Sequence, residues 1–546
     1  MKIWSCFCVV VILLTSCGES GKKTIENKTV FRYNQAAGIT SLDPAFARNL
    51  ENIWIINQVF NGLVQMDEEL HVQPCIAKSW DIDSTSTIYT FHLRNDVSFH
   101  DHKLFKGGKG RKVTASDFVY SFLRITDPEV ASPGSWIFRV LNRSSENHFI
   151  GMEATDDTTL TIYLKHPFPP FLGTLTMQYC SVVPKEIVDY YQADFRRNPV
   201  GTGPFKFKNW KEGVKLILVK NPKYFEFDEN QRLPYLDAVS ITFIKERQVA
   251  FLDFLNGKYD FVSGLEALAA YKDEILTADG HLKPKYSSKI KMQKLPYLKT
   301  DYLGMLIDAG NGKNNIMQEK AIRKAINYGF DRKKMVLHLR NNIGQAATSG
   351  FISRGMPSFD EKVKGYDYNP EKAKEMLYLA GYPDGKNLPD ITLVTTDEYR
   401  EECEYIQHEL SDIGINIDLE VIDAAAYREM VAQSKVRFFR KSWVADYPDA
   451  ENFLALFYSK NFSPGGPNYT HFNNIQYDLL YEKAMSETND SLRYELYRQM
   501  DQIIIDEAPV VPLYYAEVLR FVQNNIEGLE SNPMNLLTLK RVRKRK

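Results

Sequence analysis

The chain combines short stretches in which apolar and polar residues alternate with longer stretches of helical period. Alternation over residues 87–93, 159–164 and 215–219 predicts half-buried strands. Apolar residues recur at helical spacing over 319–328 and 371–380, and a glycine follows each stretch, which predicts two amphipathic helices. Strands and helices intermixed along the chain predict an α/β protein.

Length and charge limit the classes of protein to consider. A chain of 546 residues is too long for one ordinary hydrophobic core, so we expect two or three structural units. Lys and Arg number 68 against 69 Asp and Glu, and this balance gives no field that favours nucleic acid, so no nucleic-acid partner is expected. The basic run 540–546 is expected to be a solvated tail.

The N-terminus resembles an export signal. The apolar run 7–14 is too short to span a bilayer and fits the core of a signal peptide. The residues 14–18 (LTSCG) resemble a bacterial lipobox, which makes Cys17 the lipidated residue after a signal peptide at 1–16. The polar stretch 17–28 is then a tether to the membrane.

The remaining cysteines suggest no metal site. They are Cys75, Cys180 and Cys403, with no Cys or His at ligand spacing. At most one disulfide can form among them, and three buried thiols are an equal alternative. We therefore expect no bound metal and no cofactor.

Several enzyme motifs begin in the sequence and are not completed. His408 and Glu409 start like a zinc-protease helix, but Asp412 occupies the place of the second histidine ligand. The segment 108–110 (GKG) lacks the Ser or Thr and the upstream glycine of a phosphate-binding loop. No GxSxG nucleophile elbow is present, so we assign no catalytic residue, although paired carboxylates leave a glycosidase open.

A series of motifs resembles, in the same order, those of the family 5 extracytoplasmic solute-binding proteins of ABC importers. The motifs are 41–44 (SLDP), 58–64 (QVFNGLV), 74–80 (PCIAKSW), 89–94 (YTFHLR), 113–118 (VTASDF), 201–205 (GTGPF), 325–328 (AINY) with 331–332 (DR), 368–373 (YNPEKA) and 507–514 (EAPVVPLY). They cover nearly the whole chain after the tether.

The resemblance implies the two-lobed, periplasmic-binding-protein-like (type II) α/β fold, with an extra domain inserted in the first lobe. We place lobe I at 29–68 with 200–298 and 508–546, the extra domain at 69–199 and lobe II at 299–507.

The resemblance also implies function. A monomer in the cell envelope, on the periplasmic side in a Gram-negative cell, would capture peptides between its lobes and deliver them to an inner-membrane ABC permease. The alternatives are the same fold binding a nickel chelate, haem or an oligosaccharide, or a surface-anchored hydrolase.

The segment 440–449 (RKSWVADYPD) is similar to the ligand-binding segment of peptide-binding members. The resemblance makes Asp446 the partner of the peptide α-ammonium. Arg440 matches an arginine that meets the peptide carboxylate in some relatives; an ion pair within the protein is its alternative. Ser442 and Val444 would offer main-chain groups to an extended ligand.

Three further residues complete the predicted ligand site. The counterpart of the 442–444 strand is expected near Leu50. Trp443 and Tyr447 are either aromatic platforms for the ligand or core residues, and the sequence leaves both alternatives open.

Overall fold

The fold was analysed in a computed structural model, which describes residues 28–144, 150–264, 271–308 and 315–545. Cys17, the predicted signal peptide 1–16 and all but the last residue of the predicted tether lie outside the described residues. None of the helices in the described ranges combines the length and the apolar character that a membrane span requires.

The strands are β1 Val30–Asn34, β2 Val64–Met66, β3 Val72–Pro74, β4 Ala77–Ile82, β5 Ile88–Leu93, β6 Met152–Asp156, β7 Thr159–Tyr163, β8 Phe205–Lys211, β9 Lys215–Lys220, β10 Phe227–Asp228, β11 Gln231–Arg232, β12 Ala238–Thr242, β13 Phe261–Ser263, β14 Ile290–Met305, β15 Gln345–Ala346, β16 Ile391–Thr395, β17 Ile417–Val421, β18 Phe438–Val444, β19 Val510–Gln523, β20 Ile526–Glu527 and β21 Arg543–Lys544.

The helices are α1 Leu50–Val59, α2 Ala115–Thr126, α3 Phe171–Thr174, α4 Lys185–Tyr191, α5 Arg247–Leu255, α6 Lys272–Ile275, α7 Pro284–Ser287, α8 Lys320–Tyr328, α9 Arg332–Arg340, α10 Pro370–Leu379, α11 Arg400–Ser411, α12 Ala424–Ala432, α13 Glu451–Leu454, α14 Ile475–Ser486 and α15 Asp490–Glu507. The three strands and two helices predicted from periodicity are therefore confirmed as β5, β7, β9, α8 and α10.

One large sheet runs through both lobes. Its strand order is β17-β16-β18-β14-β19-β13-β1-β12-β9-β8, with β15 also paired to β19. The long antiparallel strands β14 and β19 pass from one half of the sheet to the other. Their pairing is irregular between Pro296 and Thr300 and again between Asp301 and Tyr302, and we infer that the longer interruption, at 296–300, is the hinge between the two lobes.

A separate sheet of four antiparallel strands, β4-β5-β7-β6, lies within the predicted extra domain. Its apolar face and α2 share one core with the strands of lobe I, because Phe91 and Phe118 lie in the same buried cluster as Phe31 and Leu216. We therefore expect the extra domain and lobe I to move as one body.

Lobe II has apolar cores on both faces of its sheet. Phe438 and Phe439 are consecutive on β18, and one packs against the core that contains Ile326 while the other joins the core that contains Phe453. The arrangement is the mixed α/β, two-lobed architecture that the resemblance implies. The predicted domain boundaries, finer than this architecture, stay predictions.

The basic C-terminal run is not the solvated tail that we expected. Lys540 pairs with Glu226 at 2.6 Å and Lys544 with Asp260 at 2.7 Å, and β21 pairs with β20. These contacts hold the C-terminus against lobe I. Charge composition could not predict this outcome, because the carboxylate partners lie far away in the sequence.

The described cysteines carry no disulfide. Cys75, Cys180 and Cys403 are all buried and free. Burial raises the pKa of the Cys75 thiol to about 12 and that of Cys403 to about 11, which keeps both thiols protonated.

Candidate functional site

Strand β18 leads into the candidate site and leaves one of its edges open. It pairs with β14 along its whole length, with Ser442 opposite Asp301 and Val444 opposite Lys299. On its other side, β16 pairs with it only at Phe439. No strand of the described residues covers that side from Arg440 to Val444.

The direction of the main-chain groups on this edge follows from two hydrogen bonds. The N–H of Ala445 donates to the Leu298 carbonyl, towards β14, at 2.8 Å, whereas the Arg440 carbonyl accepts from the Tyr427 hydroxyl on the opposite side. Because main-chain groups alternate along a strand, those of Ser442 and Val444 point away from β14. We call the main chain of these two residues the open edge; an extended ligand could add to it as a strand.

Asp446 lies two residues beyond the open edge. It is exposed to solvent, yet burial among protein atoms raises the pKa of its carboxyl, against the lowering effect of a hydrogen bond with Asn452. The Asp446 side chain is therefore accessible to solvent and has many protein atoms around it. Asp446 has no ion-pair partner anywhere in the described ranges.

Asn452 fixes the loop that carries Asp446. Its Oδ1 accepts hydrogen bonds from the Trp443 indole N–H at 2.9 Å and from the Asp446 main-chain N–H at 3.3 Å. The Trp443 ring is half-buried against the core of lobe II. Trp443 was predicted to be either an aromatic platform for the ligand or a core residue, and its observed contacts are those of a core residue.

Tyr447 is also part of the packing. It is buried, and its hydroxyl donates to the Glu451 carboxylate. Its ring lies 5.9 Å, centroid to centroid, from that of Trp136, at an interplanar angle of 34°. Since Trp136 belongs to the extra domain and Tyr447 to lobe II, this aromatic contact joins the two bodies beside Asp446.

Three segments of lobe I and the extra domain converge on the Asp446 loop. The Ser132 hydroxyl donates to the Ala45 carbonyl at 2.6 Å, which holds the segment before α1 against 132–136. A Cβ atom at Gly134 would lie 2.5 Å from ring atoms of Tyr179, so only glycine leaves room for this tyrosine. Next along the same segment is Trp136, which contacts Tyr447.

Tyr179 is influenced by charges from both bodies. Burial and the nearby Asp446 carboxylate raise the pKa of its phenol to about 12, and the Arg48 guanidinium opposes that rise. Arg48 itself is exposed. We call the space bordered by Arg48, Tyr179, Asp446 and the open edge the cleft.

Leu50 borders a second recess. As the first residue of α1 it is half-buried and lines a cavity of about 290 Å³ together with Trp54, Lys299 and Arg340. We call this the hinge cavity, since Tyr297 and Lys299 of the β14 irregularity also line it. Three basic residues line it, and two of them are paired: Lys299 with Asp301 at 3.2 Å and Arg340 with Glu402 at 3.5 Å.

Arg440 lies in an internal ion-pair network. It is 1 % exposed, and its guanidinium contacts Asp301 Oδ1 at 2.5 Å and Glu402 Oε2 at 2.9 Å. Its Cζ lies 3.5 Å from the centroid of the Tyr399 ring. The geometry is that of the alternative, an ion pair within the protein, and Arg440 offers no accessible donor to a ligand carboxylate.

Sequence reasoning missed Arg48, Trp136, Tyr179 and Asn452. Nothing in the local pattern around these residues distinguishes them, because each acquires its position through contacts with distant segments. The glycine at position 134 becomes informative only with the structure, which shows that Tyr179 leaves no room for a side chain there.

Comparison with known proteins supplies the family. The model of the bacterial extracellular solute-binding proteins, family 5, matches residues 71–465. The haem-binding protein A of Haemophilus influenzae is 26 % identical over 87 % of this chain and 85 % of its own length. The oligopeptide-binding protein OppA of Bacillus subtilis is 25 % identical over 97 % of both chains.

The comparison with solved structures gives the same kind of protein. The ABC transporter-associated periplasmic binding protein DppA from Helicobacter pylori, in complex with the peptide STSA, has a TM-score of 0.75 and 26 % identity, covering 95 % of this chain and 99 % of that one. These relatives are binding proteins and not enzymes. The chain belongs to the family 5 bacterial extracellular solute-binding proteins, the substrate-binding components of ABC importers.

Proposed function

We propose that this protein captures peptides in the cleft and delivers them to an inner-membrane ABC permease while a lipid on Cys17 anchors it to the membrane. One observation carries the peptide assignment: Asp446 is an accessible carboxylate with no ion-pair partner in the part of the chain that the structure describes, and it lies at the end of an open strand edge. An α-ammonium group followed by an extended main chain is the ligand that satisfies both features at once.

The ligand main chain would lie along the open edge and the entry of α1. The groups of Ser442 and Val444 would exchange hydrogen bonds with it, and Leu50 would face it from lobe I. Such contacts recognise the main chain of the ligand and do not discriminate between its side chains, which suits a protein that binds peptides of many sequences. Arg440 would remain beneath the open edge as a structural residue.

Binding would then shift the lobes towards the closed state. Lobe I with the extra domain and lobe II both contribute to the cleft, so a ligand that contacts both gains its full interaction only when they close. The aromatic contact between Trp136 and Tyr447 is available only in that state. The permease would recognise the closed form.

A non-peptide ligand is the competing candidate, because one relative is named for haem binding and another for oligopeptides. Haem, a nickel chelate or an oligosaccharide presents no α-ammonium group to Asp446. The carboxylate would then remain without a cation inside a closed cleft, which costs free energy. This argument favours the peptide.

Native mass spectrometry of a form that begins after Cys17 tests the proposal. The ligands that co-purify with the wild type are compared with those on Asp446→Ala and on the control Asp418→Ala, which removes an exposed carboxylate of the same lobe. We expect peptides on the wild type and the control and few on Asp446→Ala. A sugar or metal chelate on the wild type, without stabilisation by added peptides, would disprove the peptide assignment.

A further inference from the structure

The open edge is closed at one end by contacts within lobe II. Strand β16 occupies the side of β18 that faces away from β14 at Phe439, and one residue further along the Tyr427 hydroxyl donates to the Arg440 carbonyl. Tyr427 belongs to α12 and is buried in the same core as Phe439, so packing fixes its position. A ligand strand that lies along the open edge therefore stops before Arg440.

The other end of the open edge is marked by Asp446, which sets where a peptide would begin. With its α-ammonium on Asp446, a peptide antiparallel to β18 would place its first residue opposite Val444 and its third opposite Ser442. Main-chain hydrogen bonds form at alternate positions of such a pair, so the first and third residues would bond to the open edge. A fifth residue would lie opposite Arg440, whose carbonyl already accepts from Tyr427.

Lys441, between the open edge and its closed end, is a cation without a counterion. It is half-buried, and its ammonium lies 4.5 Å from the centroid of the Tyr469 ring. Within the described residues this ammonium makes no ion pair and no hydrogen bond. Burial, together with the nearby Arg428 guanidinium, lowers the pKa of Lys441 to about 8. Like Asp446 at the other end, Lys441 has the surroundings of a charge whose partner comes from the ligand.

The carboxylate of a peptide of three residues would lie beside Lys441. It follows the third residue, which is opposite Ser442, and so occupies the position directly opposite Lys441. Side chains at directly opposite positions of antiparallel strands have Cβ atoms about 4.5–5.5 Å apart, a distance that a lysine side chain spans. The carboxylate of a dipeptide would end one residue, about 3.3 Å, short of this position, and a pentapeptide would have to displace Tyr427.

We propose that this protein selects tripeptides with a free carboxylate, which pair their α-ammonium with Asp446 and their carboxylate with Lys441, while Tyr427 and β16 limit the length. This inference rests on the proposed peptide function and specifies the length of its ligand. The selection uses main-chain groups and the two chain ends, so it applies to tripeptides of many sequences.

Calorimetric titration with alanine peptides of two to six residues tests the length selection. For the form that begins after Cys17, we expect the tripeptide to bind roughly tenfold more tightly than the dipeptide and the pentapeptide. The C-terminal amide of the tripeptide, which lacks the carboxylate, should bind roughly tenfold more weakly than the acid.

Two variants and one control assign these differences to residues. Lys441→Gln should make the tripeptide acid and its amide bind equally, by weakening the acid alone. Tyr427→Phe keeps the ring and frees the Arg440 carbonyl, and should therefore strengthen the pentapeptide relative to the tripeptide. Lys435→Gln, which removes an exposed lysine of the same lobe, should leave the wild-type order unchanged. Thermal denaturation checks that the variants fold equally.

The outcomes separate the two proposals. If pentapeptides and hexapeptides bind the wild type as tightly as the tripeptide, or if the difference between acid and amide survives Lys441→Gln, the inference is overturned and the peptide function stands. If no peptide of any length binds, the peptide function itself fails.

Discussion

Arg440 lies within strand β18 and Asp446 lies two residues past its end, and the surroundings of these two charges are opposite. Arg440 is buried, and its charge is balanced by Asp301 and Glu402 with Tyr399 beneath it. Asp446, just past the other end, is accessible and has no ion-pair partner among the described residues, and its main-chain N–H donates a hydrogen bond to Asn452. The two residues lie six positions apart in one motif.

The difference shows how to distinguish an architectural charge from a recognition charge. Burying an ion costs several kcal/mol, so a charge that serves the fold comes with its counterions already in place. A charge that serves recognition is left incomplete, because the ligand supplies the missing partner. By this criterion the predicted ligand role of Asp446 fits its surroundings, whereas Arg440, which the motif equally suggested, has the surroundings of a structural charge.

Substitution of Arg440 should produce the largest effect, and on stability instead of binding. Arg440→Met removes one cation from two buried carboxylates and leaves Asp301 with Lys299 and Glu402 with Arg340, and we expect the free energy of unfolding to fall by about 3 kcal/mol in urea denaturation. Asp446→Ala should change it by less than about 1 kcal/mol, since no internal ion pair is lost.

Two controls sharpen this contrast. Arg400→Gln breaks an exposed pair with Asp397 and should cost no more than about 0.5 kcal/mol. Adding Asp301→Asn to Arg440→Met should recover part of the lost stability, because the Asp301 carboxylate that has lost the Arg440 cation is then replaced by a neutral amide. If Arg440→Met keeps wild-type stability but no longer binds ligand, the distinction between the two ends of β18 is wrong.

Periodicity was sufficient to predict three strands and two helices, and the motif was sufficient to indicate Asp446, whose ligand role stays a prediction. Strand β5 and helix α8 follow from apolar spacing, because burying one face is a local requirement on the sequence. The motif around Asp446 also indicated the open edge, since main-chain recognition at Ser442 and Val444 depends on the strand and not on its side chains. In both cases the signal lies within a few neighbouring residues.

The partners of each charge were beyond the reach of sequence reasoning. The role of Arg440 depends on Asp301 and Glu402, which come from other elements, so the choice between ligand contact and ion pair required the fold. Trp136 meets Tyr447, next to Asp446, although the two rings come from segments far apart in the sequence. The C-terminal lysines likewise find carboxylates from distant strands.

A third residue, Asp501, extends the comparison to a buried carboxyl group to which we assign no ligand role. It lies within α15 and accepts hydrogen bonds from the main-chain N–H groups of Phe351 at 2.6 Å and Ile352 at 3.4 Å, with no cation paired to it in the described ranges. Burial raises the pKa of Asp501 from 3.8 to about 7, although these N–H groups oppose the rise.

This pKa shift predicts a pH dependence with a definite sign. Between about pH 4 and pH 7 the folded state keeps the Asp501 proton while the unfolded chain has lost it, so stability falls as pH rises across that window. Asp501→Asn cannot titrate. We expect the wild type to lose on the order of 2 kcal/mol more than this variant between pH 4.5 and pH 8, measured by urea denaturation.

Asp418→Asn serves as the matched control, since its exposed carboxyl should leave the pH profile of the wild type unchanged. Parallel pH profiles for the wild type and Asp501→Asn would mean that Asp501 is ionised in the folded state. A cation or ordered water at Asp501 would then have to balance it.

The smallest expected effect concerns the ring contact beside the cleft. Trp136 lies in the predicted extra domain and Tyr447 in predicted lobe II, so we expect their contact to stabilise the lobe arrangement in which the two rings meet. An aromatic pair contributes about 0.5–1.5 kcal/mol, and Trp136→Ala should therefore weaken peptide binding by about 3- to 10-fold in calorimetry.

Two variants serve as controls for this substitution. Trp136→Phe should retain most of the affinity, and Tyr190→Ala, which removes an exposed tyrosine, should have no effect. A Trp136→Ala protein that binds peptides as tightly as the wild type would show that the ring contact does not contribute to the ligand-bound arrangement.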